Sequence, residues 1–507
     1  MTAAASYSAR EAARHARAFL HAARTRLARD GVLRPHAMPA TPPPPAAAAA
    51  AAGAASPAGP PCTLVLGNES ADLDSIVASL AYAALLDPGF AGAGEDADTG
   101  TAAPDAPSAV PVVLVPRSEF RLRTHVAWAF ARVFGSADAA DAVVTPLLFT
   151  DDIDWARMPP HYRIVLVDHN RLGLSWQTLS PRVIGILDHH QDLGCHRDAP
   201  LRRITTACGS CSSLVAAEWS SGSGSGSGVP SRPPPWLAEL LLCAILEDSS
   251  CLRPQYERTF PVDVDAARFL WRCRSHAIAA SATDTSEPAA TADGNNSNSN
   301  NDDDARQTWF STVWKALQAA KYNLRGLSLP ELMAKDAKVW EVHGVRYGIS
   351  SITWHLQGAQ GLLAAHGGWP ALVAMLHPWM RDRGLDLALI MTAQTLPAAR
   401  DGHAVEDGDD GVFCRELVLA TWPGPSPASP VGQPPLLPPP HDHTSLVAAF
   451  NAGGDALQLT PFWNNDAQDG ARPCCVYAYN QANTRCSRKQ VEPYLRAQIE
   501  ANTAPTG

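Results

Sequence analysis

Two aspartates spaced i and i+2, Asp72 and Asp74, lie in the polar loop that ends the apolar run Leu64-Val65-Leu66. Carboxylates held this close repel unless a positive charge lies between them. A divalent cation meets that need. Asp168, the adjacent histidines His189 and His190, and Asp248 each come after another apolar run. Together they form a candidate ligand set. Two cations roughly 3.5–4 Å apart can clamp the attacking and leaving oxygens of a phosphoryl transfer and lower the pKa of a bound water. One carboxylate can bridge such a pair, and Asp168, on what the pattern makes a central strand, is the best placed. Carboxylates outnumber nitrogens in the set, which suits Mg²⁺ or Mn²⁺ better than zinc. In an extended chain His190 points away from His189, so it can serve a leaving group or a non-bridging oxygen. Taken singly, each residue has an ordinary reading: strand-end aspartates are usually caps or turn formers, and histidine pairs are more often structural. The constellation carries the argument.

The elements that must position these side chains are short. Residues 62–68, 110–115, 163–170 and 183–190 read as strands, three of them ending in an acid. Helical patterns come next at 76–86, 120–134, 209–219 and 236–246. Continuous apolar strands alternating with helices predict an α/β fold with a mostly parallel, doubly wound sheet. In such a sheet, ligands collect at the carboxyl ends of the strands. From residue 326 the character changes to a hairpin about Gly344, strands at 385–392, 418–421 and 475–479, and a final helix after Ser487. That predicts a second, smaller, mixed α/β domain. The arginine-rich stretch 8–27 makes a basic amphipathic helix, read either as a mitochondrial presequence or, as favoured here, as a helix of the globular body. The segments 41–60, 221–235, 281–305, 399–411 and 422–443 are low in complexity and read as tether, linker, disordered insert and loops. The predicted domains are 1–60 (helix and tether), 61–326 and 327–507.

A net charge of -10 argues against general attraction to nucleic acid or membrane surfaces. No secretory signal or membrane-spanning run is visible. Eleven scattered cysteines predict free thiols in a reducing compartment, the cytoplasm. Cys208-Gly-Ser-Cys211 has no second pair to complete a zinc site and reads as a tight turn.

The motifs also carry a resemblance. Gly67-Asn-Glu-Ser-Ala-Asp-Leu-Asp-Ser75, Val167-Asp-His-Asn170 and Leu187-Asp-His-His190 resemble, in order, the first motifs of the DHH phosphoesterase superfamily. The second half resembles its DHHA2 subfamily, with Asp336-Ala-Lys338 similar to a D-x-K segment and Arg488-Lys-Gln490 before Pro493 similar to R-K-Q-x-x-P. Gly209-Ser-Cys-Ser-Ser213 and Ala244-Ile-Leu-Glu-Asp-Ser249 fit as well. The resemblance spans about residues 62–498 and is nearest to exopolyphosphatases of yeast type and prune-like proteins.

It implies an N-terminal DHH domain, a DHHA2 domain and an active site in the cleft between them. It implies two divalent metal ions, Mg²⁺ or Mn²⁺. Asp72 and Asp168 would hold one; Asp74, Asp168, His189 and Asp248 would hold the other. His190 is similar to the family's substrate-facing histidine, and Lys338, Arg488 and Lys489 match its phosphate-binding positions. Ser212, Arg117 and Arg123 are further candidates for substrate phosphates, and Asp168, His190, Lys338 and Arg488 for catalysis. The implied partner is inorganic polyphosphate, cleaved at its terminal phosphoanhydride. The alternative is a pyrophosphatase or short-chain polyphosphate hydrolase; a non-enzymatic scaffold is a third reading. Related manganese pyrophosphatases have histidine where this chain has Asn68. Asparagine offers a carbonyl oxygen to a metal, or a hydrogen bond to one of the ligands. Glu247 is a second departure, an acid where relatives carry a neutral residue.

Overall fold

A computed structural model of the chain describes residues 8–34, 61–87, 90, 108–222, 231–280, 298–324, 326–396, 399–400, 403–404, 412–422, 443–465 and 474–503. It divides into two compact units, Met1–Asn323 and Leu324–Gly507.

In the first unit, strands β1 (Cys62–Leu66), β2 (Ser108–Val113), β3 (Leu148–Phe149), β4 (Tyr162–Val167), β5 (Val183–Asp188) and β6 (Leu201–Ile204) form one sheet in the order β3-β2-β1-β4-β5-β6. Every neighbouring pair is parallel. The inner strands are mostly apolar because both faces are covered. Val65, Val165, Val167 and Leu187 pack with the helices Leu73–Leu86, Cys211–Ser221 and Pro235–Asp248. Leu64, Leu66, Ile164 and Ile186 face a second cluster that includes Leu27, Trp155 and Trp176. Chain order reverses between β1 and β4, and the loops leaving those two strands therefore diverge, which is where an open sheet of this kind makes a crevice. Asp72 and Asp74 come after β1, and Asp168 after β4.

The basic N-terminal helix spans Ala9–Arg29, starts at a Ser8–Glu11 capping box, and buries Ala12, Ala16, Phe19 and Leu20 in the core of the unit. It is a helix of the globular body. Two edge strands, β3 and β6, were not expected: one has two residues, and the other carries Arg202 and Arg203 in a half-buried register. The expected helix 120–134 is a 3-10 turn, Arg117–Leu122, and then a helix at Thr124–Phe134. Part of the expected insert 281–305 is helical. A helix runs Asn298–Tyr322, because Phe310, Val313 and Leu317 bury one face and the turns propagate back into the asparagine-rich stretch. Residues 281–297 lie outside the described residues, as do the tether 41–60, residues 223–230 of the linker and most of the loops 399–411 and 422–443.

The second unit is built on a mixed sheet. Its strands are β7 (Ala337–Val342), β8 (Val345–Ile352), β9 (Leu387–Leu396), β12 (Val412–Thr421), β13 (Leu459–Asn464) and β14 (Cys475–Gln481), ordered β13-β14-β12-β9-β8-β7. A two-residue pair, β10 (Ala399–Arg400) with β11 (His403–Ala404), stands apart. Within the sheet β8 and β9 run parallel and the other pairs antiparallel. The β7–β8 hairpin turns on His343 (φ 48°) and Gly344 (φ 81°), both left-handed, as a tight two-residue loop requires. The helices Gly368–Asp382 and Arg488–Thr503 supply apolar residues to the two cores around this sheet. Among the described residues no helix is long and apolar enough to cross a membrane.

Candidate metal centre

The loop after β1 is held from three directions. A Cβ on Gly67 would sit 2.5 Å from Ser75 Oγ and 2.9 Å from its carbonyl oxygen, so this turn closes only around a glycine. Asp72 caps the Leu73–Leu86 helix, accepting from Ser75 N at 3.0 Å. The Asn68 amide oxygen accepts from Ser70 N and Ala71 N at 2.8 and 3.2 Å. Its amide nitrogen donates to the Asp168 carboxylate at 2.6 Å. Asn68 thereby fastens the β1 loop to the β4 loop.

Asp168 leaves β4 in the left-handed region, φ 63°, while its N–H still donates to Leu187 O at 3.0 Å. Aspartate tolerates this conformation at modest cost, and such residues cluster at functional sites. The twist turns the carboxylate toward the end of β5. Its Oδ1 lies 3.1 Å from His189 Nε2 and 3.7 Å from His190 Nδ1. Asp74 meets the same histidine from the other side, with Oδ2 3.9 Å from His189 Nε2. Asp74 is fixed by the start of the Cys211–Ser221 helix: Ser210 Oγ and Ser212 N donate to Oδ1 at 2.8 Å each, and Cys211 N to Oδ2 at 2.6 Å. A carboxylate at a helix N-terminus is favoured by the unsatisfied N–H groups and by the helix dipole. Asp248 ends the Pro235–Asp248 helix, whose next turn carries three left-handed residues, Ser250, Cys251 and Leu252. Ser249 N donates back to Ile245 O and Cys251 N to Leu246 O, which clamps the turn.

Two groups of potential ligand atoms result, Asp168–His189–His190 and Asp74–His189–Asp248, each within 4.8 Å. They share His189. Its Nδ1 faces Cys208 O at 3.3 Å, leaving Nε2 as the metal-facing nitrogen. Asp168 is the carboxylate that reaches both histidines.

The electrostatics fit a cation. Burial, reinforced by the charge of Asp72, pushes the Asp168 carboxyl up to about 7. Burial, then Asp74 and Asp72, hold Asp248 well above the usual carboxylate range. Burial opposes a protonated His189, yet the Asp168 hydrogen bond and charge, with Asp74 and Asp248 behind them, lift it to about 10. Without a metal the site therefore gathers protons to offset its own negative charge. A divalent cation bound by Asp74, Asp168, Asp248 and His189 would supply that charge instead. Oxygen donors predominate, which suits a hard divalent cation.

His190 is oriented by a strand-end acid to which the sequence patterns assign no role. Asp188, fully buried, accepts from His190 Nδ1 at 2.8 Å and from His190 N at 3.1 Å. The Asn170 amide donates to Asp188 Oδ2 at 2.5 Å and to Gln191 O at 2.9 Å. Burial pushes the Asp188 carboxyl up, but the His190 hydrogen bond and charge outweigh it and hold the carboxyl below its ordinary value. With Nδ1 engaged, His190 Nε2 has no hydrogen-bond partner among the described residues. Asp188→Asn should lower turnover by about 10- to 100-fold, the usual loss when a histidine loses its orienting carboxylate. Steady-state kinetics at saturating metal will show it as a fall in kcat.

Three further expected substrate contacts have partners within the fold. Arg123 is 2 % exposed, and its Nε and Nη2 donate to Ser70 O at 3.1 and 2.8 Å. Its guanidinium braces the β1 loop instead of facing a substrate; no local pattern shows that its partner lies 53 positions earlier. Arg117 donates to Leu147 O and to Asp152 Oδ2 at 2.6 Å each, with its guanidinium over Phe149. Ser212 holds Asp74 through its backbone N–H, while its buried Oγ makes no hydrogen bond among the described residues. Cys208 and Cys211, the expected tight turn, are both buried thiols, and Gly209 N between them donates to Asp263.

Known proteins are similar to this chain. Residues 62–245 match the family model described as "DHH family, N-terminal domain", and residues 315–498 match the "DHHA2 domain". The chain thus carries a DHH-family N-terminal domain and a DHHA2 domain. A Schizosaccharomyces pombe protein provisionally named exopolyphosphatase is 34 % identical over 164 residues, 31 % of this chain and 36 % of that one. Exopolyphosphatase PRUNE1 of Homo sapiens is 25 % identical over 443 residues, 87 % of this chain and 76 % of that protein. A Methanococcus jannaschii structure, provisionally assigned as a family II inorganic pyrophosphatase, aligns with a TM-score of 0.45 at 16 % identity, over 86 % of this chain and 99 % of that one.

Within the DHHA2 domain, the two expected phosphate-binding segments lie together. Arg488 Nη2 pairs with Asp336 Oδ1 at 2.8 Å, and Nη1 donates to Asp336 O at 3.0 Å. The start of the last helix is thus joined to the start of β7, two residues before Lys338. Lys338 is half-buried and Lys489 is exposed.

Proposed function

We propose that the protein is a metal-dependent exopolyphosphatase that hydrolyses the terminal phosphoanhydride of inorganic polyphosphate and releases orthophosphate. The observation that carries this reading is the convergence of two buried carboxylates, Asp74 and Asp168, and the half-buried Asp248 with His189 and His190 where the strand order reverses. The exopolyphosphatase names of the relatives support it.

Two divalent cations, Mg²⁺ or Mn²⁺, would neutralise phosphate charge and lower the pKa of an attacking water. Asp72 and Asp168 would hold one, and Asp74, Asp168, His189 and Asp248 the other. The protein's own side chains do the remaining work. Asn68 keeps the Asp168 carboxylate in place. Asp188 fixes the His190 ring so that Nε2 can donate to or accept from a phosphoryl or leaving-group oxygen. Lys338, Arg488 and Lys489 supply cations for the phosphates that become the leaving group; arginine can grip two oxygens at once, and lysine acts as a point charge. Arg488→Ala should raise the KM for polyphosphate by about tenfold or more, the loss of one charge-assisted hydrogen bond of about 1.5–3 kcal/mol. A KM unchanged from wild type would remove Arg488 from the substrate site.

The pyrophosphatase reading is weaker on the position of Asn68. Its amide nitrogen points at Asp168, so the β1 loop offers no imidazole of the kind found in manganese pyrophosphatases. Orthophosphate release measured against pyrophosphate and a series of polyphosphate lengths, with Mg²⁺, Mn²⁺ and Co²⁺ in turn, separates the two. Preference for chains over pyrophosphate supports the proposal; preference for pyrophosphate overturns it. All eleven cysteines are free, which supports a cytoplasmic location.

A further inference from the structure

Glu247 immediately precedes Asp248 and is buried, 6 % exposed. A carboxylate inside the protein and next to a cluster of carboxylates needs compensation. It comes from two other helices. Lys321 Nζ, near the end of Asn298–Tyr322, lies 2.5 Å from Glu247 Oε1, and His125 Nε2, at the start of Thr124–Phe134, lies 3.8 Å from the same oxygen. The two helices are tied beside that point, since Thr124 Oγ1 donates to Ala320 O at 2.6 Å. The residues before His125 and before Lys321 are therefore bonded to each other, and both basic side chains converge on one carboxylate. One peptide unit further on is Asp248, a member of the Asp74–His189–Asp248 group.

We propose that the Glu247–Lys321 pair sets the divalent-cation affinity of the Asp74–His189–Asp248 group, Glu247 adding negative potential and Lys321 subtracting it. The proposal rests on the reading of that group as a metal centre. Neither residue belongs to the ligand groups, so both are positioning residues that act through the field at Asp248. A single charge several ångströms from a divalent ion, in a medium between protein and water, changes binding by about 5- to 30-fold. The two residues carry opposite charges, so their removal has opposite effects. A purely structural role would instead make both losses weaken the site.

The test is isothermal titration of Mg²⁺, and separately Mn²⁺, into the full-length protein without substrate. Four variants are compared with wild type: E247Q, K321M, E247Q/K321M and K321R. E247Q should weaken binding and K321M should tighten it, each by about 5- to 30-fold. The double variant should return to within about threefold of wild type, and K321R should match wild type. If K321M does not fold, the double variant still has to bind more tightly than E247Q. Both single variants shifting the same way, or neither shifting while wild type binds, overturns the proposal. No saturable binding by wild type overturns the metal-centre reading itself.

Discussion

Asp168→Asn is expected to reduce phosphate release by about 1000-fold or more while the protein remains folded. Asp168 is the carboxylate that reaches both histidines, and Asn68 is built to hold it. Asparagine keeps the shape but lacks the charge needed to hold a cation, and metal stabilisation of a phosphoryl transfer is worth several kcal/mol, at about 1.4 kcal/mol per tenfold in rate. Stability should move the other way. Burial raises the carboxyl from 3.8 to about 7 in the metal-free fold. A carboxyl whose pKa rises on folding destabilises the protein above its unfolded pKa, and the penalty grows until the folded pKa is passed. Removing the charge relieves up to about 4 kcal/mol of that penalty. Metal-free Asp168→Asn should therefore melt at or above wild type when the pH exceeds about 7. Activity retained at wild-type level would show that the bridging residue lies elsewhere.

Removal of divalent metal should abolish activity and lower the melting temperature, and its restoration should reverse both. At a hundredfold excess over Kd a bound ion stabilises by about 2.7 kcal/mol, a shift of several degrees in a unit of this size. The direction of the pKa shifts sets the pH dependence. Below about pH 7 the Asp168 carboxyl holds a proton that the ion must displace, and up to about pH 10 so does His189. Metal binding thus releases protons, and affinity rises with pH across that window, steepest below about 7 where two protons compete. Calorimetry in buffers of different ionisation enthalpy counts the protons. Binding with no proton release at neutral pH would contradict this account of the site.

Much of the site was legible in the sequence because its residues lie at the ends of strongly patterned strands. The apolar runs before Gly67, Asp168 and His189 each announce a buried parallel strand, and the residues just past the end of such a strand face the crevice. The residues that hold the ligands carried no such signal. Arg123 resembles any arginine at a helix start, and only the folded chain brings it to Ser70. Asp188 sits inside the same motif as His190 but points inward, a distinction made by the strand's alternation and the Asn170 contact. Glu247 could be read as facing solvent until Lys321 arrived from a helix whose first turns have the composition of a disordered insert. The edge strands β3 and β6 escaped for a simpler reason: one is two residues long, and the other is half polar.

The measurement that bears most directly on the central claim is Mg²⁺-dependent orthophosphate release from long-chain polyphosphate by the purified full-length chain, run beside Asp168→Asn. The account predicts steady release by wild type, none in the presence of a chelator, and a loss of about 1000-fold in the variant. Absence of release by wild type with Mg²⁺, Mn²⁺ and Co²⁺ alike, or equal release by the two proteins, would contradict it.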